Sequence, residues 1–139
     1  MGLTYAEIAL ANSSDCILAR QGRSPKEDVK QVTVKALVDS GAYMLVINEN
    51  VKRQLDLPVC EKRAAVLADG STADCDIVGP VEVFFKTRAT SCRAIVFPGD
   101  GEVLLGAIPI EDMDVLIDLK NNELILPPDR PYIAQTIVK

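Results

Sequence analysis

The 139-residue sequence predicts an all-β single domain with one or two short helices. Three observations carry this. Val32, Val34, Ala36 and Val38 alternate with Thr33, Lys35 and Leu37, the period of two expected of a strand with one buried face. The runs VEVFFK (Val81 to Lys86) and CRAIVF (Cys92 to Phe97) are rich in β-branched and aromatic residues. Asp69-Gly70, within VLADGSTADCDIVG, is a strong two-residue hairpin signal between extended arms.

In chain order, a first strand is expected over residues 3–11, and the loop RQGRSPKED (Arg20 to Asp28) joins it to the Val32–Val38 strand. After Asp39-Ser40-Gly41 comes an apolar segment, Tyr43 to Ile47. In NENVKRQLDLP, Asn48 can cap a turn or two of helix in which Val51 and Leu55 share a face, and Pro58 forces a stop. The polar stretch TRATS separates the two β-rich runs that follow the hairpin. In IPIEDMDVLID, Pro109 suits a first helical position, and Glu111 and Asp112 suit the positive end of the helix dipole. Glu123 to Leu126 reads as a last strand, introduced by Asn121-Asn122 and ended by Pro127-Pro128.

Composition narrows the function. Apolar residues make up 48% and charged residues 25%, a globular rather than disordered balance. The net charge of −5 and scattered basic residues, of which Lys62-Arg63 is the longest group, disfavour nucleic acid. No apolar run approaches the roughly 20 residues that span a bilayer. The N-terminus has no positive region, carries Glu7 where a signal peptide is apolar, and lacks the Ser or Thr at position 6 that myristoylation needs. A soluble cytoplasmic protein with no membrane partner is expected. Cys16, Cys60, Cys75 and Cys92 show no C-x-x-C spacing and read as small apolar residues in a reducing compartment. With no histidine, Ser-His-Asp and Cys-His mechanisms and histidine zinc sites cannot be built from this chain. Carboxylate, lysine, tyrosine or cysteine chemistry remains.

One carboxylate stands out. In ALVDSGAYMLVI, Asp39 ends a strand where Gly41 lets the chain turn sharply, and apolar residues on both sides imply that the turn lies inside the core. An unpaired buried carboxylate is costly, so Asp39 needs a partner or a function. The other candidates read more simply. Glu111, Asp112, Asp114 and Asp118 lack EF-hand spacing and a central glycine, and are expected as solvated carboxylates rather than a metal site. PGDGEVLLG lacks the Lys-Ser/Thr of a P-loop.

ALVDSGAYMLVI resembles the active-site signature of the retropepsin-like aspartic proteases, and VLLGAIPIEDMDVLID resembles their second signature, an apolar segment and a glycine leading into a helix. ADGST stands between the two, where that family places its flap. The similarity covers roughly residues 29 to 126 and is nearest to small bacterial and archaeal relatives of the retroviral proteases. It implies a closed acid-protease β-barrel as one domain over 1–139, with its core at about 29–126, the N-terminal strand at 3–11 and a C-terminal extension at 127–139. It also implies an aspartic endopeptidase without cofactor or metal, acting on a peptide or protein substrate, with Asp39 catalytic. Only one such motif is present, so the second aspartate would come from another copy in a C2 homodimer. By the same resemblance, Ser40 would hydrogen-bond across the axis and the Gly41 amide would lie near the carboxylate. Ala42 would line the floor, and Gly106 would let the second segment pass behind the loop. Leu67, Ala68, Asp69, Gly70 and Ser71 would form the flap. Leu3 to Leu10 and Glu123 to Leu126 would be candidates for a sheet shared between subunits. The alternative is a dimeric peptide-binding or assembly module on the same fold with little or no proteolysis.

Overall fold

A computed structural model of the chain describes residues 2–138. Strand β1 (Tyr5–Asn12) sends Ile8 and Leu10 into the core and pairs antiparallel with β2 (Gln31–Val38), Tyr5 opposite Leu37 and Ala11 opposite Gln31. The connection contains α1 (Ser13–Arg20), a helix the sequence patterning does not predict. Asn12 caps it by accepting from Asp15 N at 3.2 Å. In β2 the alternation is as expected, with Ala36 and Val38 buried and Thr33 and Lys35 exposed. Beyond the Asp39 turn, β3 (Leu45–Asn48) buries Leu45, Val46 and Ile47. It runs into α2 (Glu49–Leu55), where Asn48 accepts from Val51 N at 2.9 Å and Val51 and Leu55 face the core.

The hairpin of β4 (Val59–Val66) and β5 (Thr72–Phe85) follows. Its loop is Ala68-Asp69-Gly70, three residues rather than the expected two: Gly70 N donates to Leu67 O at 2.9 Å and Leu67 N to Ser71 O at 2.8 Å. Gly70, at φ +86, takes the left-handed position that closes such a loop. Strand β5 then changes partners. Thr72 to Val78 pair with β4, the register shifts at Gly79-Pro80, and Val81 to Phe84 pair with β1. Strand β6 (Arg88–Phe97) already begins at Arg88, so most of TRATS is strand rather than spacer. Lys86, at φ 51, makes the turn tight enough for Arg88 to face Phe85.

Strand β7 (Leu104–Leu105) slots between β2 and β3, parallel to the first and antiparallel to the second. The order β1-β2-β7-β3-β6-β5 returns to β1, with β4 outside. The fold is therefore mostly β as expected, but the sheet is a ring rather than the regular closed barrel, because β7 pairs with β2 through two residues and with β3 through one. Ile8, Leu10, Leu45, Ile47, Val83 and Leu105 fill it. Leu10 pairs with both Val32 and Val83. That builds Ala9 to Ala11 into the ring on both edges, whereas Tyr5 to Ile8, within the expected Leu3–Leu10 segment, pair with β2 alone.

Helix α3 (Ala107–Met113) starts directly after Gly106, which puts Pro109 third rather than first and moves Glu111 and Asp112 out of the first turn. Strands β8 (Leu116–Asp118) and β9 (Glu123–Ile125) form a separate antiparallel pair. Among the described residues no helix is long and apolar enough to cross a membrane. All four cysteines are free thiols, Cys75 buried.

Of the acidic residues near α3, Asp112, Asp114 and Asp118 are engaged rather than merely solvated, and the chain's end folds back on one of them, Asp114. Thr90 Oγ1 donates to Asp112 Oδ2 at 2.5 Å, and Asp118 accepts from the Lys120 and Asn121 amides. Asp114 receives Arg130 through Nε at 2.6 Å and a terminal nitrogen at 2.9 Å, and the Gln135 amide at 2.9 Å. The buried Arg88 donates to the Arg130 carbonyl at 2.6 Å and to the Asp114 carbonyl at 3.4 Å. The Arg130 guanidinium and the Gln135 amide hold the Asp114 carboxyl well below the usual carboxylate range. A lowered carboxyl stabilises the docked state above its unfolded pKa of about 3.9 and loses that contribution as pH falls further. Residues 127–138 should therefore resist limited proteolysis equally from neutral pH to about 5 and loosen only below about 4. Asp114→Asn, which keeps the left-handed helix end, should expose them to cleavage at neutral pH.

Candidate active site

Asp39 leaves the end of β2 with its backbone N–H donating to Leu105 O at 3.0 Å, so β7 fixes where the strand stops. Ala42 N donates to Asp39 O at 3.0 Å and closes a tight turn. Inside that turn Gly41 N donates to Asp39 Oδ1 at 2.9 Å, and a Cβ on Gly41 would stand 3.1 Å from the same oxygen. Glycine there lets the amide reach the carboxylate without crowding it.

Gly106 holds the turn from behind. A Cβ at Gly106 would lie 2.7 Å from Ala42 O and closer still to Met44 O. Ala107 N donates to Ala42 O at 2.8 Å and Ile108 N to Tyr43 O at 3.1 Å. The first amides of a helix have no partner within it, and here the Asp39 loop supplies one for each. Asp39, Gly41, Ala42 and Gly106, the residues the sequence singles out, thus form one contiguous unit. Leu105 O and the Ala107 and Ile108 amides complete it, and no sequence signal marks them because they act through the backbone.

The turn does not lie inside the core of the single chain, as its apolar flanks suggest. Asp39 is half-buried, Ser40 and Gly41 are exposed, and Tyr43 is 70% exposed. The flanks bury β2 and β3 while the turn emerges at the rim. Among the described residues, Asp39 Oδ2 and the Ser40 hydroxyl have no hydrogen-bond partner. Nor does any group of three or more potential metal ligands stand together among them.

Nearly all of β4 is exposed, so its hairpin with β5 stands out as an arm. Asp69 accepts from Ser71 N at 2.9 Å and Ser71 Oγ at 2.6 Å, contacts that lower its carboxyl pKa and stiffen the tip. The expected flap residues Leu67 to Ser71 therefore make one self-contained turn. At the base of the arm Arg63 points to Met44, a terminal nitrogen 3.9 Å from Sδ, which links the arm to the strand after Asp39.

The aspartyl protease family profile matches residues 27–107, which include Asp39, the hairpin and Gly106. This chain belongs to the aspartyl protease family. Its architecture is similar to the crystal structure of the retroviral protease-like domain of Ddi1 from Leishmania major, with a TM-score of 0.54 over 91% of each chain and 18% identity. At that identity the likeness establishes the retropepsin-like fold of this family member and nothing finer. No curated protein matches the chain significantly.

For an aspartyl protease built this way, Gly106→Ala is a sharp test of the clamp. The added methyl must displace the Ala42–Met44 backbone, an overpacking that costs about 1–3 kcal/mol. A lowered denaturation midpoint is expected.

Proposed function

We propose that the protein is a homodimeric aspartic endopeptidase in which Asp39 of each subunit meets its mate across a two-fold axis. The observation that carries this is the state of Asp39: one oxygen held by Gly41 N–H, the other free, on a rigid turn that emerges from the chain. One chain has one Asp-Ser-Gly motif, so two chains are required for a pair of carboxylates. Docking rim to rim also gives the apolar surroundings of the turn a cover that the single chain lacks.

Two carboxylates about 3 Å apart cannot both ionise and share one proton. The ionised Asp39 takes a proton from a water molecule, whose oxygen attacks the scissile carbonyl carbon. The protonated Asp39 of the mate gives its proton to the carbonyl oxygen. The tetrahedral diol then collapses: the C–N bond breaks, the amine leaves with a proton from one carboxyl, and a diol hydroxyl returns a proton to the other. No metal or cofactor takes part. The Gly41 amide donates to Asp39 Oδ1, and the Ser40 hydroxyls, without a partner among the described residues of each chain, brace the two turns. The hairpin tip closes over the peptide, which lies extended and pairs with strand edges.

The test is hydrolysis of an unfolded protein or a peptide library at about pH 4 to 6. Wild type should cleave, and Asp39→Asn should lose about 10²–10⁴-fold in rate while remaining dimeric. No wild-type turnover, or turnover indifferent to the substitution, overturns the reading. Peptide binding without cleavage would favour the assembly-module alternative.

A further inference from the structure

A groove of about 260 Å³ opens beside the Asp39 loop. Tyr43 and Met44, on the stretch that follows the Asp39 turn, line it together with Ile108 from the first turn of α3. Arg63, on the outgoing arm of the hairpin, and Arg93, on β6, line it as well. The groove thus lies between the stretch that follows the Asp39 turn and the outgoing arm of the hairpin.

Its charge is unbalanced. Glu61 Oε1 receives Arg63 at 2.5 Å and Arg93 at 2.9 Å, so one carboxylate holds two guanidinium groups and leaves one positive charge in excess. Each guanidinium carries five donors in a fixed fork, and these contacts use few of them. The neighbour on the other side of Arg63 is the Met44 thioether, a weak acceptor. Both arginines are more than two-fifths exposed, so their spare donors reach solvent. In a chain of net charge −5, a cation surplus beside the cleft runs against the global balance. Lys62, the other basic residue of this arm, pairs instead with Asp76 at 2.8 Å, a carboxylate that also receives Lys52 at 3.5 Å.

We propose that this groove is a specificity site: it receives an aspartate or glutamate side chain of the bound peptide, whose stem lies on Met44 and Ile108 and whose carboxylate shares the free donors of Arg63 and Arg93. The proposal rests on the protease reading, and it follows from the two-fold axis that each half of the cleft carries one groove. An acidic preference is therefore expected on both sides of the cleaved bond, displaced from it because Tyr43 and Met44 follow Asp39 by several residues. Glu61 competes with the substrate carboxylate for the same two forks, so it sets the strength of the preference.

The experiment compares cleavage of matched peptides carrying Glu or Gln at each position flanking the scissile bond. Wild type should favour Glu at a fixed offset by about five- to tenfold in kcat/KM, and added salt should reduce that ratio. The double variant Arg63→Gln/Arg93→Gln should bring the ratio toward one. Glu61→Gln, which frees both forks, should raise it. In parallel, Asp39→Asn protein, with and without the two arginine substitutions, is titrated with the fluorescently labelled Glu and Gln peptides. Cleavage without a Glu preference, or a preference unmoved by the arginine substitutions, overturns the groove and leaves the protease standing. Absence of cleavage with arginine-dependent Glu-peptide binding keeps the groove and sinks the protease. Neither cleavage nor Glu-selective binding overturns both.

Discussion

The structure turns on one backbone contact, the seating of the Asp39 loop against Gly106 and the start of α3. Leu105 O receives Asp39 N, and the Ala107 and Ile108 amides reach back to Ala42 O and Tyr43 O. These bonds satisfy helix donors that would otherwise need solvent, and they fix a carboxylate at the rim on a turn with little freedom to move. The contact exists only because residue 106 has no side chain. Strand β7 is two residues long, yet it bridges β2 and β3 and delivers Gly106 to the back of the loop. Fold and candidate site therefore share the same few atoms.

The rest of the sheet serves two tasks with one strand. The far half of β5 closes the ring on β1 through Val81 to Phe84, while its near half forms the exposed arm with β4. The register shift at Gly79-Pro80 separates the halves and lets a packed wall continue into a projecting hairpin. A small second cluster, Val46, Cys75, Ile77 and Ile95, with Met44 and Ala73 against it, packs where the arm meets the ring. The projecting hairpin thus stands on a buried base.

What the sequence made legible was local. The Asp39-Ser40-Gly41-Ala42 turn, the Asn48 cap with Val51 and Leu55, and the Asp69-Gly70 hairpin each carry their signal within a few residues. Helix α1 carries no such signal because its cap, Asn12, is itself the last residue of a strand and its helical face is not distinctly apolar: only Ser13 of it is buried. The acidic run near α3 looked solvated because Arg130 and Gln135, which engage Asp114, lie 16 and 21 residues away. Likewise, nothing in the spacing shows that Arg93 meets Glu61 and Arg63, since the register of β5 between β4 and β6 brings them together. The apolar flanks of Asp39 misled in another way. They suggest a turn buried within one chain, whereas they bury the strands and leave the turn at a surface.

The central claim is that Asp39 functions as a pair, one from each of two chains. Mixing wild-type and Asp39→Asn subunits, allowing them to exchange fully, and measuring peptide hydrolysis against the mixing ratio tests it directly. If both carboxylates are needed, activity follows the square of the wild-type fraction and falls to about a quarter at equal mixing. A linear decline, to about half at equal mixing, would mean that each chain works alone and would contradict the account.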